Sequence, residues 1–216
     1  MEGRELRNRL ISHNLTRDGQ PIHCEWFQSA FVDAAGATQG VLSLGQDVTA
    51  RIEAEAQLHH AAIHDAVTGC HNRRHLLQRL DRALERARRE GGGVALLYLD
   101  LDRFKPVNDR HGHAAGDALL EAVGARLRDA VPDADCIARV GGDEFVVLLA
   151  GAVDAAAAHR ARDAVARQFQ RAFQCGGLLH DIGASIGLAR FPDHGDSADL
   201  LLRRADERMY REKKAR

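Results

Sequence analysis

Two short acidic segments could together bind a metal ion. Asp100 and Asp102 alternate with leucines at the end of the apolar run VALLYLDLD. Asp143 and Glu144 follow two glycines in RVGGDEFVVL. Carboxylates at the mouths of buried strands are costly unless a cation compensates them. Mg²⁺ suits such a cluster, because it takes one or two carboxylates plus substrate phosphates. The alternative is a solvated hairpin tip that discourages edge pairing.

The residues after the first acidic segment could hold a nucleotide. A helix is predicted to start near Phe104 and Lys105, where free backbone N–H groups and the ammonium would form a phosphate cradle. Asn108, His113 and Asp117 follow closely. An amide together with a carboxylate can read a purine edge, and the carboxylate suits the N1–H and amino donors of guanine.

The elements that must position these residues are predicted from residue 65 onward. Leucines at helical spacing predict a helix over 71–90, and Pro106 suits the first turn of a short helix. Gly141-Gly142 predicts a type I′ hairpin, in which both glycines need positive φ. Further predictions are a helix over GDALLEAVGARLRDAV (116–131), a helix over 154–173, a strand pair over 178–191 and a helix from 197. Interleaved strands and helices that include a hairpin predict an α/β (α+β) fold with a mixed central sheet flanked by helices.

The N-terminal part has a different pattern. Residues 6–48 predict three antiparallel strands, with a hairpin turn at Asp18-Gly19, and the Ala- and Glu-rich stretch that follows favours a helix. That helix is either a weak coiled-coil seam that pairs with a second copy or a simple connector.

Composition excludes several classes of protein. Thirty basic and thirty-one acidic residues give a net charge of −1, which argues against a nucleic-acid binder. The four cysteines have no CxxC spacing, so neither a disulfide framework nor a zinc site is expected. No apolar run is long enough to span a membrane and no signal peptide is apparent, so we expect a cytoplasmic protein.

Five segments together resemble the GGDEF family of diguanylate cyclases. They are HDAVTGCHNRR (64–74), DLDRFKPVNDRHGHAAGD (100–117), RVGGDEF (139–145), ASIGLARFP (184–192) and ADERMY (205–210). The resemblance covers roughly residues 62–216, and the five segments stand in order with compatible spacing. It implies a nucleotidyl cyclase or polymerase palm-like fold.

The resemblance also implies an activity. Two GTP molecules would condense into cyclic di-GMP with release of two pyrophosphates, in an antiparallel homodimer that uses Mg²⁺ or, in its place, Mn²⁺. The alternative is a catalytically silent GGDEF domain that binds GTP or cyclic di-GMP and regulates a partner. The implied catalytic residues are Asp143 and Glu144, and the implied metal ligands are Asp100, Leu101 through its carbonyl, Asp143 and Glu144. The implied substrate-binding residues are Phe104, Lys105, Asn108, His113, Asp117, Gly141, Gly142 and Lys213.

Residues 1–49 resemble the C-terminal strands of a PAS sensor domain, on TRDGQPIHCEWFQSAF and GQDVTARIEAEAQL. The resulting division is a partial PAS domain at 1–49, a linker helix at 50–64 and a GGDEF domain at 65–216, with further sensor or output domains beyond the chain. One departure concerns regulation. Asp135 fits the aspartate of the family's RxxD product-binding motif, but Pro132 occupies the position of the motif's arginine. Product inhibition should therefore be weak.

Overall fold

The computed structural model describes residues 8–151, 153–175 and 177–215. The chain divides into two compact units, 1–60 and 61–216. None of the described helices is long and apolar enough to cross a membrane.

The first unit contains a three-stranded antiparallel sheet, as predicted. Its strands run in the order β1-β2-β3 and are followed by a helix. Gly19 and Gly36 adopt positive φ in the two connecting turns, where a side chain would be strained. Residues 6 and 7 of the predicted first strand lie outside the described residues. The elements are β1 (Asn8–Leu15), β2 (Pro21–Val32), β3 (Thr38–Asp47) and α1 (Thr49–Ile63).

The second unit is built on a five-stranded sheet in the order β10-β5-β7-β6-β4. Its strands pair antiparallel except β4 with β6, so the sheet is mixed. The strands are β4 (His71–Asn72), β5 (Gly93–Leu101), β6 (Cys136–Arg139), β7 (Glu144–Gly151) and β10 (Ala184–Phe191). A separate hairpin pairs β8 (Phe173–Cys175) with β9 (Leu178–His180).

Helices cover both faces of this sheet because its strands alternate two apolar sets of side chains. Odd-numbered residues of β5, such as Leu97 and Leu99, pack on the face covered by the third to fifth helices of the chain. Even-numbered residues, such as Leu96, pack on the face covered by the second and sixth. The helices of this unit are α2 (Arg73–Glu90), α3 (Phe104–His111), α4 (His113–Ala130), α5 (Ala155–Gln168) and α6 (Ala198–Ala215).

The predicted mixed sheet flanked by helices is confirmed, and Pro106 lies in the first turn of α3 as expected. Two predictions about strands and helices were wrong. Residues 178–191 do not pair with each other, because β9 pairs with β8 whereas β10 pairs with β5 at the edge of the main sheet. The helix predicted over 154–173 ends at Gln168, since Phe173 is fully buried in a strand against the core.

Candidate active site

The two acidic segments meet because β5 and β7 are antiparallel neighbours. Asp100 lies directly opposite Glu144 in the pairing register, and the Leu101 N–H donates to the Asp143 carbonyl oxygen at 3.1 Å. The predicted juxtaposition of the two segments is therefore confirmed. Asp102 differs from the prediction, because β5 ends at Leu101. Its carboxylate lies in the following turn and accepts a hydrogen bond from Ser185 Oγ at 2.8 Å.

The cluster is electrostatically strained. Burial raises the pKa of Asp143, and the nearby Asp100 carboxylate raises it further. Burial also raises the pKa of Glu144, and Asp100 adds to this although a hydrogen bond from Tyr98 opposes it. Asp100 is 8% exposed and forms an ion pair with Lys213 Nζ at 2.5 Å. This hydrogen bond raises the pKa of Lys213, so the ammonium offsets part of the negative charge.

The loop that carries Gly141 and Gly142 is not the predicted type I′ turn. Neither glycine is among the described residues with positive φ. Four residues, 140–143, separate the strands, and the Val140 N–H donates to the Glu144 carbonyl oxygen at 3.0 Å. The need for Gly141 is one of space, since a Cβ there would lie 2.6 Å from Glu144 Oε2. A Cβ at Gly142 would have no other atom within 4 Å among the described residues.

An ion pair holds the glycine loop against an upstream turn. Arg139 donates to the Gly142 carbonyl oxygen at 2.8 Å and to Asp65 Oδ1 at 3.1 Å. Asp65 Oδ1 also accepts from the Thr68 N–H and hydroxyl, at 2.9 and 2.8 Å. Neither Asp65 nor Arg139 was predicted to be a site residue. An aspartate followed three residues later by a threonine is a recognisable turn signal, but nothing local in the sequence indicates its distant arginine partner.

The predicted base-binding residues lie on two adjoining helices. Asn108 Oδ1 is buried and, among the described residues, has no hydrogen-bond partner. It lies against Gly116, where a Cβ would approach to 1.9 Å. Asp117 is the next residue of α4, and His113 begins that helix; both are exposed. A buried acceptor without a donor is costly, which makes Asn108 Oδ1 a candidate acceptor for a ligand.

The predicted phosphate-binding residues lie at the start of α3 and near the end of α6. Phe104 is buried in the core, whereas Lys105 is exposed on the first turn. Arg103, just before the helix, has φ of 61°, a left-handed conformation that is uncommon for a residue with a side chain. A cleft of about 420 Å³ opens beside them, lined by Asp102, Arg103, Asp181, Ile182, Gly183 and Lys213.

The acidic cluster suits a metal that arrives with a nucleotide. Within the described part of the chain, no three His, Cys, Asp or Glu side chains are arranged to enclose an ion by themselves. Mg²⁺ does not require such a cage, because it usually takes one or two protein carboxylates and completes its shell with phosphates and water. The hard carboxylate oxygens of Asp100, Asp143 and Glu144, with pKa values of the last two raised by burial and repulsion, fit that requirement.

Comparison with known proteins agrees with this geometry. The family model described as "Diguanylate cyclase, GGDEF domain" matches residues 62–216. The diguanylate cyclase TpbB of Pseudomonas aeruginosa is 41% identical over 163 residues, which are 74% of this chain and 38% of that protein. An uncharacterized signaling protein of Caulobacter vibrioides is 36% identical over 200 residues, 91% of this chain and 25% of that protein.

A solved structure is also similar. The crystal structure of a sensory box/GGDEF family protein from Caulobacter crescentus matches with a TM-score of 0.68 and 38% identity, covering 72% of this chain and 100% of that one. The chain spans only a quarter to two fifths of the length of the two curated relatives. Over residues 62–216, the chain belongs to the family of diguanylate cyclase GGDEF domains.

Proposed function

We propose that this chain condenses two GTP molecules into cyclic di-GMP and two pyrophosphates. The observation that carries the proposal is the opposition of Asp100 and Glu144 across β5 and β7, with Asp143 beside them. Acidic groups whose pKa values are raised by burial and mutual repulsion are typical of catalytic clefts. A purely structural role would not require this concentration of negative charge.

Mg²⁺, or Mn²⁺ in its place, would be held by Asp100, Asp143, Glu144 and the Leu101 carbonyl. When bound, it would activate a hydroxyl and neutralise phosphate charge. Lys213 offsets the charge of Asp100 when the nucleotide is absent, and we propose that it contacts phosphate when GTP binds. Lys105 would contact the same phosphates from the first turn of α3, and the N–H groups of Phe104 and Lys105 would add backbone donors.

Guanine would be recognised by the two helices α3 and α4. The partnerless Asn108 Oδ1 would accept a hydrogen bond from a guanine donor, and the exposed Asp117 would accept others. His113 would lie nearby. Adenine lacks the N1–H and the 2-amino group that these acceptors would satisfy, so GTP should be preferred over ATP.

The reaction would need two copies of the chain. Each domain would hold one GTP, and the 3′-hydroxyl of each GTP would attack the α-phosphate of the other. A homodimer that forms reversibly gives a specific activity that rises with protein concentration, which a dilution series can measure. A specific activity that stays constant down to a dilution at which light scattering reports only monomer would contradict the dimer.

The flanking regions would control this reaction. We propose that residues 1–49 are the C-terminal strands of a PAS domain, that 50–64 form a linker helix and that 65–216 form the catalytic domain. On the first unit's sheet, Phe27, Phe31, Leu42 and Leu44 are 41–69% exposed and share one face, which supports an incomplete domain. Use of GTP implies a cytoplasmic location.

A further inference from the structure

Tyr98 makes a side-chain contact to the acidic cluster that the proposed chemistry has not used. It lies on β5 two residues before Asp100 and therefore on the same face of the sheet. In the register Tyr98 lies opposite Val146, and Asp100 lies opposite Glu144. Glu144 is thus the diagonal neighbour of Tyr98, within reach of a long side chain. The Tyr98 hydroxyl donates to Glu144 Oε2 at 3.1 Å.

The same carboxylate oxygen also lies against the glycine loop. A Cβ at Gly141 would lie 2.6 Å from Glu144 Oε2, so the oxygen sits directly over that α-carbon. Glu144 Oε2 therefore accepts from a hydroxyl and also lies against a backbone position that only glycine leaves open. Two independent elements, β5 and the loop at 140–143, fix one oxygen of this side chain.

The hydrogen bond from Tyr98 is a favourable contact for Glu144 in acidic surroundings. Three other carboxylates, Asp100, Asp143 and Asp206, lie near enough to repel the charge of Glu144. Tyr98 and Glu144 also line a groove of about 350 Å³ that contains Asp199 and Asp206. A tyrosine hydroxyl has an ordinary pKa of about 10, so Tyr98 is a donor to Glu144 at neutral pH.

We propose that Tyr98 is a positioning residue, whose hydroxyl fixes the Glu144 carboxylate in the orientation that the reaction needs. The proposal rests on the proposed function, since it assigns Glu144 to the cyclase reaction and its metal. Tyr98 itself would touch neither GTP nor the metal. A structural alternative is that the hydrogen bond only satisfies a half-buried phenol, in which case its removal would alter stability but not the site.

The test is Tyr98→Phe, which removes one oxygen and keeps the ring. Residues that orient a metal-site ligand typically contribute 10- to 100-fold to affinity or activity. We therefore expect kcat to fall about 10- to 100-fold while KM for GTP stays within about twofold. The matched control is Tyr210→Phe, which removes the hydroxyl of the chain's other tyrosine, 53% exposed on α6, and should leave kcat unchanged.

A second measurement does not depend on turnover. Mn²⁺ binding is titrated by electron paramagnetic resonance with 3′-deoxy-GTP, which lacks the attacking hydroxyl. Tyr98→Phe should weaken Mn²⁺ binding about tenfold in the wild-type background and by less than twofold in a Glu144→Gln background, because Tyr98 acts through Glu144. An equal loss of Mn²⁺ affinity in both backgrounds would overturn the proposal. An unchanged kcat, or an unchanged Mn²⁺ affinity in the wild-type background, would also overturn it.

These measurements separate the two proposals. A wild-type protein that makes no cyclic di-GMP, but loses Mn²⁺ affinity on Tyr98→Phe only when Glu144 is present, would contradict the proposed function and support the positioning role. If the wild-type protein makes cyclic di-GMP, and Tyr98→Phe changes neither kcat nor Mn²⁺ affinity, the proposed function is supported and the positioning role is contradicted.

Discussion

At the residue scale, we expect the ionised carboxylate of Asp143 to lower the stability of the fold. The pKa of Asp143 is raised above its ordinary value of 3.8 by burial and then by Asp100. Its ionised form is therefore less favourable in the folded state than in the unfolded state. The penalty is absent at low pH, where Asp143 is protonated in both states, and develops as pH rises through the ordinary and then the folded pKa. Activity and stability should accordingly respond in opposite directions to its removal.

The first prediction is that Asp143→Asn abolishes turnover without loss of stability. We expect the rate to fall by more than about 100-fold, beyond the 10- to 100-fold typical of residues that only orient a ligand. Removing a destabilising charge should leave Tm at pH 7.5 unchanged or higher by up to about 3 °C. Cyclic di-GMP formation and thermal unfolding are the measurements.

The control for Asp143→Asn is Asp133→Asn, which removes an exposed carboxylate from the segment after α4. It should change neither rate nor Tm. A folded Asp143→Asn protein that retains a near wild-type rate would contradict the assignment of the acidic cluster.

The second prediction concerns Asn108. Its buried Oδ1 has no partner in the described structure, so Asn108→Ala should not lower Tm. Affinity for 3′-deoxy-GTP should fall about 10- to 100-fold, because the guanine donor loses an acceptor worth about 1–3 kcal/mol. Calorimetry with 3′-deoxy-GTP and with 3′-deoxy-ATP is the measurement. Equal affinity of the wild type for the two nucleotides would refute guanine recognition at this position.

Tyr98 illustrates which residues the sequence does not reveal. Two aspartates at the end of an apolar strand and a GGDE turn stand out locally, because charge there is costly. A tyrosine within VALLYLDLD is typical of a core strand, and its role depends on a partner 46 residues later in the chain. The same limit applies to Arg139, whose partner Asp65 lies 74 residues upstream.

At the element scale, helices were easier to predict than strand pairing. Leucine spacing places α2 and α4 because a helix repeats within a few residues. Pairing of β5 with both β7 and β10, and of β8 with β9, depends on contacts that the local pattern does not encode. The prediction of a type I′ turn at 140–143 was wrong for a related reason. Two adjacent glycines suggested positive φ, whereas Gly141 is needed to make room for Glu144.

The third prediction concerns the link between the turn at Asp65 and the glycine loop. Burial alone would raise the pKa of Asp65, but hydrogen bonds from Thr68 and Arg139 outweigh it and lower the pKa. A lowered folded pKa stabilises the fold above the ordinary value of 3.8, and this stabilisation is lost as pH falls through the folded pKa. Asp65→Asn should therefore cost about 1–2 kcal/mol at neutral pH.

Thermal unfolding from pH 7.5 to pH 3 tests this prediction. The Tm difference between wild type and Asp65→Asn should be constant at neutral pH and shrink below about pH 4. Asp81→Asn, on the exposed side of α2, is the control and should show no difference. A deficit that is the same at every pH would show that the Asp65 charge is not involved.

At the scale of the whole molecule, regulation by product should differ from the family pattern. Pro132 stands where the RxxD arginine is expected and offers no donor. Asp135 is paired with Arg79 at 2.9 Å, and Arg128 donates to Cys70 Sγ at 3.3 Å. Both arginines lie near the motif, but neither occupies the position of its arginine, and both already have partners within the chain.

The fourth prediction is that added cyclic di-GMP inhibits the initial rate weakly or not at all. A bidentate arginine gives much of the recognition of a phosphate, and this motif lacks it. Initial rates against added cyclic di-GMP, with calorimetry to count bound product, are the measurements. Strong non-competitive inhibition that disappears in Arg128→Ala would show that the site has been rebuilt around Arg128, and strong inhibition that survives that change would contradict the interpretation of Pro132.

The central claim is that the acidic cluster carries out cyclic di-GMP synthesis from GTP. The most direct measurement is incubation of the protein with GTP and Mg²⁺, followed by chromatographic identification of the products. We expect cyclic di-GMP and pyrophosphate in a ratio of about one to two, no cyclic dinucleotide from ATP, and no product from GTP with Asp143→Asn. A folded wild-type protein that binds GTP but forms no cyclic di-GMP at any protein concentration, or one that converts ATP equally well, would contradict it.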